Sequence, residues 1–193
     1  MKTKVESMTH DDIADWAAKK VRTMGYKISF SNMTSAMHGE QPDVLGISLQ
    51  GKTILLEVKV SRSDFLADKK KAWRSEGGVG MGDFRVFVTP KGLLQPEDIP
   101  YGWMLWEVHG KSKPTLKIIK GEAKTLKYNP SWGCKSAFFE LLNCDREEYL
   151  YFCKSHTERD YRQSLTWMLK VMSRAMDDGF EPNNYANNYQ DKV

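Results

Sequence analysis

The stretch Pro42-Asp43-Val44-Leu45-Gly46-Ile47-Ser48-Leu49-Gln50-Gly51-Lys52-Thr53-Ile54-Leu55-Leu56-Glu57-Val58-Lys59-Val60 decides how the chain is read. Asp43 to Leu49 reads as one strand and Thr53 to Val60 as the next, with Gln50-Gly51-Lys52 as the turn. In the second strand Ile54, Leu56, Val58 and Val60 share a face, expected on the core. Leu55, Glu57 and Lys59 share the other. On this fragment alone, an amphipathic strand with ordinary surface charges is the commoner explanation. The apolar flanks argue for a central strand, where two charges are costly unless they serve a site or reach water. Asp43, one strand upstream, brings another carboxylate near the pair.

Register decides whether the three groups meet. With Gln50, Gly51 and Lys52 as a three-residue loop, Leu49 faces Thr53 and Asp43 falls opposite Lys59. Asp43, Glu57 and Lys59 then point to one face. Asp43 and Glu57 become diagonal neighbours, about 7–8 Å apart. A two-residue turn would send Asp43 to the wrong face, which a bulge at Gly46 could correct.

Two carboxylates at that spacing suit Mg²⁺ or Mn²⁺, with waters completing the shell. The backbone carbonyl of Val58 could add a ligand. A bound metal lowers the pKa of its water and offsets charge on a phosphate in the transition state. Lys59, one pleat beyond Glu57, could hold the attacking water or the phosphate. The chemistry assembled in this way is phosphodiester hydrolysis.

Working outward, Ile13, Ala17, Val21 and Met24 recur at helical spacing and predict a helix over residues 10 to 24. Thr9 is its N-cap candidate and Gly25 its stop. Tyr26 to Phe30 could be a short strand, and Ser31 to Glu40 reads as a loop. Residues 62 to 75 read as a second helix started by Ser61 and Asp64. Gly77-Gly78-Val79-Gly80-Met81-Gly82 ends it in a flexible loop. Phe84 to Thr89, Trp103 to Val108 and Thr115 to Ile119 read as strands. This order predicts an α/β or α+β sheet with helices packed on it.

Beyond residue 122 the texture becomes helical. Lys135 to Leu142, Arg146 to Lys154 and Tyr161 to Asp177 are predicted helices. The last carries a stripe of Leu165, Met168, Leu169, Met172 and Met176, expected to be buried. Residues 180–193 read as a frayed tail.

The net charge of +4 over 193 residues is compatible with a nucleic-acid partner but does not itself identify one. Cys134, Cys144 and Cys153 are widely spaced, with no CxxC pair, which argues against a zinc site. Reduced, mostly buried thiols are the expectation. No stretch approaches the apolar length of a membrane span, and Met1 to Thr9 lacks a signal-peptide pattern, so the protein is expected in the cytoplasm.

Pro42-Asp43 followed by Glu57-Val58-Lys59 resembles the PD-(D/E)XK nuclease superfamily. The stretch from Leu56 to Lys70, and Asp83 to Pro90 followed by Pro100-Tyr101-Gly102-Trp103, is similar to bacterial MmcB-like DNA-repair proteins. The resemblance covers about residues 10 to 110; the short motif is weakly specific, and the extended block after Lys59 is much more specific. It implies a restriction-endonuclease-like α/β core: a helix, a β-meander carrying the motif, a second helix and further strands in a mixed sheet. The expected organisation is a nuclease-like core over residues 1–121, a C-terminal helical region over 122–179 and a flexible tail over 180–193. The Gly-rich insertion and the C-terminal region depart from the family pattern.

The resemblance implies a Mg²⁺-dependent DNA endonuclease, in repair or phage-type genome processing, with RNA as an alternative substrate. Asp43, Glu57 and Lys59 are the catalytic candidates, and Asp43, Glu57 and the Val58 carbonyl the metal ligands. Related enzymes often carry a further acid near the metal. Asp11, Asp12, Asp15 and Glu40 are candidates, with dipole compensation the preferred role for Asp11 and Asp12. Arg62, Lys69, Lys70, Lys71 and Arg74 give the second helix a basic face, which serves either solvation or contact with backbone phosphates. Asp64 and Asp68 are expected to cap that helix and pair with neighbouring Lys or Arg. His38 is a minor candidate; His10, His109 and His156 sit in no motif. The C-terminal region could shape substrate choice or support a homodimer. The competing expectations are a non-cleaving DNA-binding or protein-interaction module on the same fold, and a plain structural subunit.

Overall fold

The computed structural model describes residues 5–34, 40–68, 80–122, 141–145, 147–148 and 160–179. Two compact units emerge, Met1–Asp160 and Tyr161–Val193.

The first unit opens with helix α1, His10–Thr23. Its Thr9 cap and Asp12 bond reciprocally, a capping box that satisfies two amides at the helix start. Strands β1 (Ile28–Ser31), β2 (Val44–Ile47) and β3 (Thr53–Val58) follow. Helix α2, Arg62–Asp68, precedes β4 (Phe84–Pro90), β5 (Met104–His109), β6 (Thr115–Glu122) and β7 (Leu141–Leu142). The seven strands lie in sequence order in one mixed sheet. Strands β3, β4 and β5 run parallel; the flanking pairs are antiparallel. This is an α/β fold with a mixed sheet and flanking helices. No helix among the described residues is long and apolar enough to cross a membrane.

One sheet face packs on α1. Ile54, Leu56, Val58, Val86, Val88, Met104, Trp106 and Val108 meet Ile13, Ala14, Ala17, Ala18 and Val21 there. Gly46 permits the approach: a Cβ at this position would lie 2.8 Å from Ile54 Cγ2 and 3.2 Å from Val21 Cγ2. Gly46 stays in regular register and forms no bulge.

The other face is also buried, contrary to the expected solvent-facing pattern. Leu55, Glu57 and Lys59 are covered, and Val60, expected on the core, is 41% exposed. Parallel strands commonly carry cover on both faces. Here Phe65 of α2 meets Phe87 edge-on, and Phe87 stacks on Trp103 at 4.6 Å. The described end of the glycine segment, Gly80–Gly82, is irregular backbone, as a loop, and is buried. Residues 77–79 and the expected helical continuation over 69–75 lie outside the described residues.

The sheet also extends beyond residue 121. Leu141 and Leu142, expected to end a helix, pair with Glu122 and Gly121 as β7. Of the predicted helix over 146–154, only Glu147 and Glu148 are described, both in helical conformation. Glu148 is buried, accepts the Gly102 amide and pairs with Lys120.

In the second unit, helix α3 spans Tyr161–Asp177. Its predicted buried stripe is not buried: Leu165, Leu169, Met172 and Met176 are exposed, and Met168 is only partly covered. Ser164 and Trp167 are the buried positions. Helical spacing identified a face; it could not say whether that face is covered. The predicted tail over 180–193 lies outside the described residues.

Candidate active site at the ends of two central strands

The hairpin preserves the predicted parity and shifts the predicted partners. Ser48 and Lys52 close a three-residue loop of Leu49, Gln50 and Gly51, with the Ser48 amide donating to the Lys52 carbonyl at 2.8 Å. Gly51 takes a φ of 78°, which glycine tolerates at this position. Ile47 therefore faces Thr53, and Val44 faces Leu56. Continuing the register by one residue puts Asp43 beside Glu57, not opposite Lys59.

Asp43 sits where β2 begins. Its Oδ2 accepts the Val58 amide at 2.7 Å. The same oxygen lies 3.2 Å from Nε2 of His10, the first residue of α1. The contact with Asp43, opposed by partial burial and supported by Asp11, raises the His10 pKa from 6.5 to about 9. His10 was absent from the sequence-derived site; no motif marks it, because only the packing of α1 brings it to Asp43.

Glu57 and Lys59 occupy successive outward positions at the end of β3, on the face away from α1. Both are buried, with 2% and 5% exposure. Lys59 Nζ stands 3.8 Å from Glu57 Oε2 and 3.7 Å from Oδ2 of both Asp64 and Asp68. The two helix acids thus converge on a strand lysine. Asp64 also takes its place at the helix start, where its amide donates to Ser61 Oγ. The Lys59 amide donates to the Val88 carbonyl at 3.0 Å and carries the parallel pairing one residue past β3.

The accessory candidates have partners of their own. Asp15 accepts the Ser31 hydroxyl at 2.6 Å and ties α1 to the end of β1. Glu40 is buried, paired with Arg85, and accepts the Met81 amide at 2.8 Å. Asp12 is taken by the capping box, and Asp11 lies against His10. Arg62 makes a two-pronged pair with Asp98, at 2.7 and 2.6 Å. Lys69, Lys70, Lys71, Arg74 and His38 lie outside the described residues, as do Cys134, Cys153 and His156. Cys144 is half-buried, and burial pushes its thiol up to about 11.

Among the described residues, no group of three or more His, Cys, Asp or Glu side chains is arranged to hold a metal ion. The strand ends offer two carboxylates: Asp43, partly exposed and engaged through Oδ2, and Glu57, buried beside Lys59. Hard oxygen donors of this kind fit Mg²⁺ or Mn²⁺ with water completing the shell, and do not fit a softer metal.

No family model matches the chain, and no curated protein matches it. Among solved structures it is similar to the SPO1766 protein of unknown function from Silicibacter pomeroyi. The two are 17% identical, with a TM-score of 0.46, over 91% of this chain and 98% of that one.

Proposed function

We propose that the chain is a Mg²⁺- or Mn²⁺-dependent nuclease that hydrolyses DNA phosphodiester bonds on a restriction-endonuclease-like core. One observation carries the reading: Asp43 is hydrogen-bonded to the residue that separates Glu57 from Lys59. That bond ties the first acid to the end of β3, next to Glu57 and Lys59 in the chain, and so supports the reading.

In this reading Asp43, Glu57 and the Val58 carbonyl hold the ion. When bound, it supplies a water of lowered pKa and positive charge toward the phosphate. Lys59 orients the attacking water or a phosphate oxygen. Its ammonium is already held by Glu57, Asp64 and Asp68, so little reorganisation is needed when charge develops. Arg62 supplies a phosphate contact by exchanging Asp98 for the DNA backbone. A role in repair or phage-type genome processing belongs to the same proposal, as does membership of the PD-(D/E)XK superfamily.

A non-cleaving DNA-binding or protein-interaction module is the second reading. It is favoured by the pairing of Asp43 with His10, an arrangement that satisfies the acid without an ion. The deciding experiment incubates wild type and Glu57→Gln with single-stranded, duplex and branched DNA, and with RNA, in Mg²⁺ or Mn²⁺. Cleavage by wild type and its loss in the variant support the nuclease. Binding without cutting by both proteins refutes it and favours the module.

A further inference from the structure

Glu40 and Arg85 form an ion pair shut away from solvent, each only 3% exposed. A buried pair of this kind often contributes no more stability than apolar residues of the same volume. This one is nevertheless closely supported. The Arg85 guanidinium lies over the Trp103 ring at 4.2 Å, and Glu40 Oε2 accepts the Met81 amide. The pair also occupies the space that Gly80 leaves open. A Cβ there would stand 2.5 Å from Arg85 Nη2 and 2.8 Å from Glu40 Oε2.

The two residues are anchored on different parts of the fold. Arg85 belongs to β4 and pairs in register with Leu55, two residues before Glu57. Glu40 lies three residues before Asp43, with Pro42 restricting the backbone between them. We infer that the Glu40–Arg85 pair positions Asp43, by pinning the chain that enters β2 to the central strands so that the carboxylate reaches the Val58 amide. The inference rests on the reading of Asp43 as a metal ligand. Neither Glu40 nor Arg85 touches the reacting atoms; both act through Asp43.

Two variants of the full chain test it. Glu40→Gln removes the charge and keeps an acceptor for Met81. Gly80→Ala keeps every charge and forces the pair to shift. The first readout is Mn²⁺ affinity by calorimetry. The second needs no metal: the His10 ring resonance, assigned by its loss in His10→Gln, reports the place of Asp43 because the two side chains touch. Both variants are expected to unfold cooperatively, to shift the His10 resonance and to weaken Mn²⁺ binding about 10–100-fold, as changes behind a metal ligand do. Val108→Ala, in the core, is expected to lower the melting temperature and move neither readout. Unchanged His10 resonance and Mn²⁺ affinity in both variants overturn the inference. So does loss of the cooperative melt in both, because the pair would then hold up the whole fold. A wild type that binds no Mn²⁺ removes the metal reading, while the His10 resonance still decides whether the pair positions Asp43.

Discussion

The Asp43 carboxylate accepts the amide of Val58 at 2.7 Å, so the first acid of the motif is bonded to the residue between the second acid and the lysine. A strand-end amide that would otherwise lack a partner is satisfied by a side chain. Position and charge of this side chain are therefore separable. Asparagine can still accept the amide through its carbonyl, but it carries no charge. Asp43→Asn is expected to stay folded with the Val58 amide satisfied, to lose the stabilisation that its charge gives protonated His10, and to lose Mn²⁺ binding in calorimetry. Asp43→Ala is expected to lose both the binding and about 1–3 kcal/mol of stability, because the amide is left unsatisfied. Retained Mn²⁺ affinity in Asp43→Asn would show that the acid is purely a cap.

His10 supplies a pH signature without any metal. Its pKa rises from 6.5 to about 9 because Asp43 holds the protonated ring. A group whose folded pKa is raised stabilises the fold fully below its unfolded value. That contribution declines from pH 6.5 upward and is lost as pH passes 9. The stability difference between wild type and His10→Gln, measured by urea unfolding, should be largest near pH 6 and vanish near pH 10. A difference that is flat across this range would contradict the pairing.

Lys59 tests the electrostatics of the sheet face that α1 does not cover. Its side chain is 6% exposed and its ammonium faces three carboxylates, of which Glu57 and Asp68 are themselves buried. Removing one partner of a buried pair leaves charge uncompensated, at a cost on the order of 3–5 kcal/mol. Lys59→Met should be destabilised on that scale in denaturant unfolding at pH 7. Adding Glu57→Gln should recover part of the loss, because the two positions are coupled. Strict additivity of the two substitutions would show that Lys59 does not depend on Glu57.

The hairpin was legible because side-chain alternation has period two. A three-residue loop displaced by one position, from 50–52 to 49–51, shifts each cross-strand partner by two residues and leaves the faces unchanged. Extended by one residue, the register keeps the parity of Asp43 and exchanges Lys59 for Glu57 as its cross-strand neighbour. The exposure of Glu57 and Lys59 was not legible. Their alternation looked half-solvated because nothing local in the sequence says that Phe65 and Trp103 pack on Phe87. His10 escaped for a related reason: its partner is 33 positions away, and only the packing of α1 joins them. Leu141 and Leu142 carried helical spacing, yet they pair with the end of β6, a tertiary contact that overrides local pattern. The same limit applies to α3, where the spacing of its leucines and methionines gave a stripe but no cover.

Asp83 is a structural acid that motif reading passes over, although it heads the Asp83-Phe84-Arg85 block. It is 1% exposed and closes a reciprocal pair with Thr53. Its Oδ2 accepts both the amide and the hydroxyl of Thr53, at 2.8 and 3.1 Å. Its own amide donates to Thr53 Oγ1 at 2.9 Å. The pair ties the starts of β3 and β4, the strands that carry Glu57 and Arg85. Asp83→Ala strips a charged acceptor from a buried amide and should cost about 1.5–3 kcal/mol in urea unfolding. Thr53→Val removes the hydroxyl alone and should cost about 1 kcal/mol. Because this lock lies at the opposite end of β3 from Glu57, any residual folded Asp83→Ala protein should keep wild-type Mn²⁺ affinity. A drop in affinity without a drop in stability would place Asp83 in the site rather than beneath it.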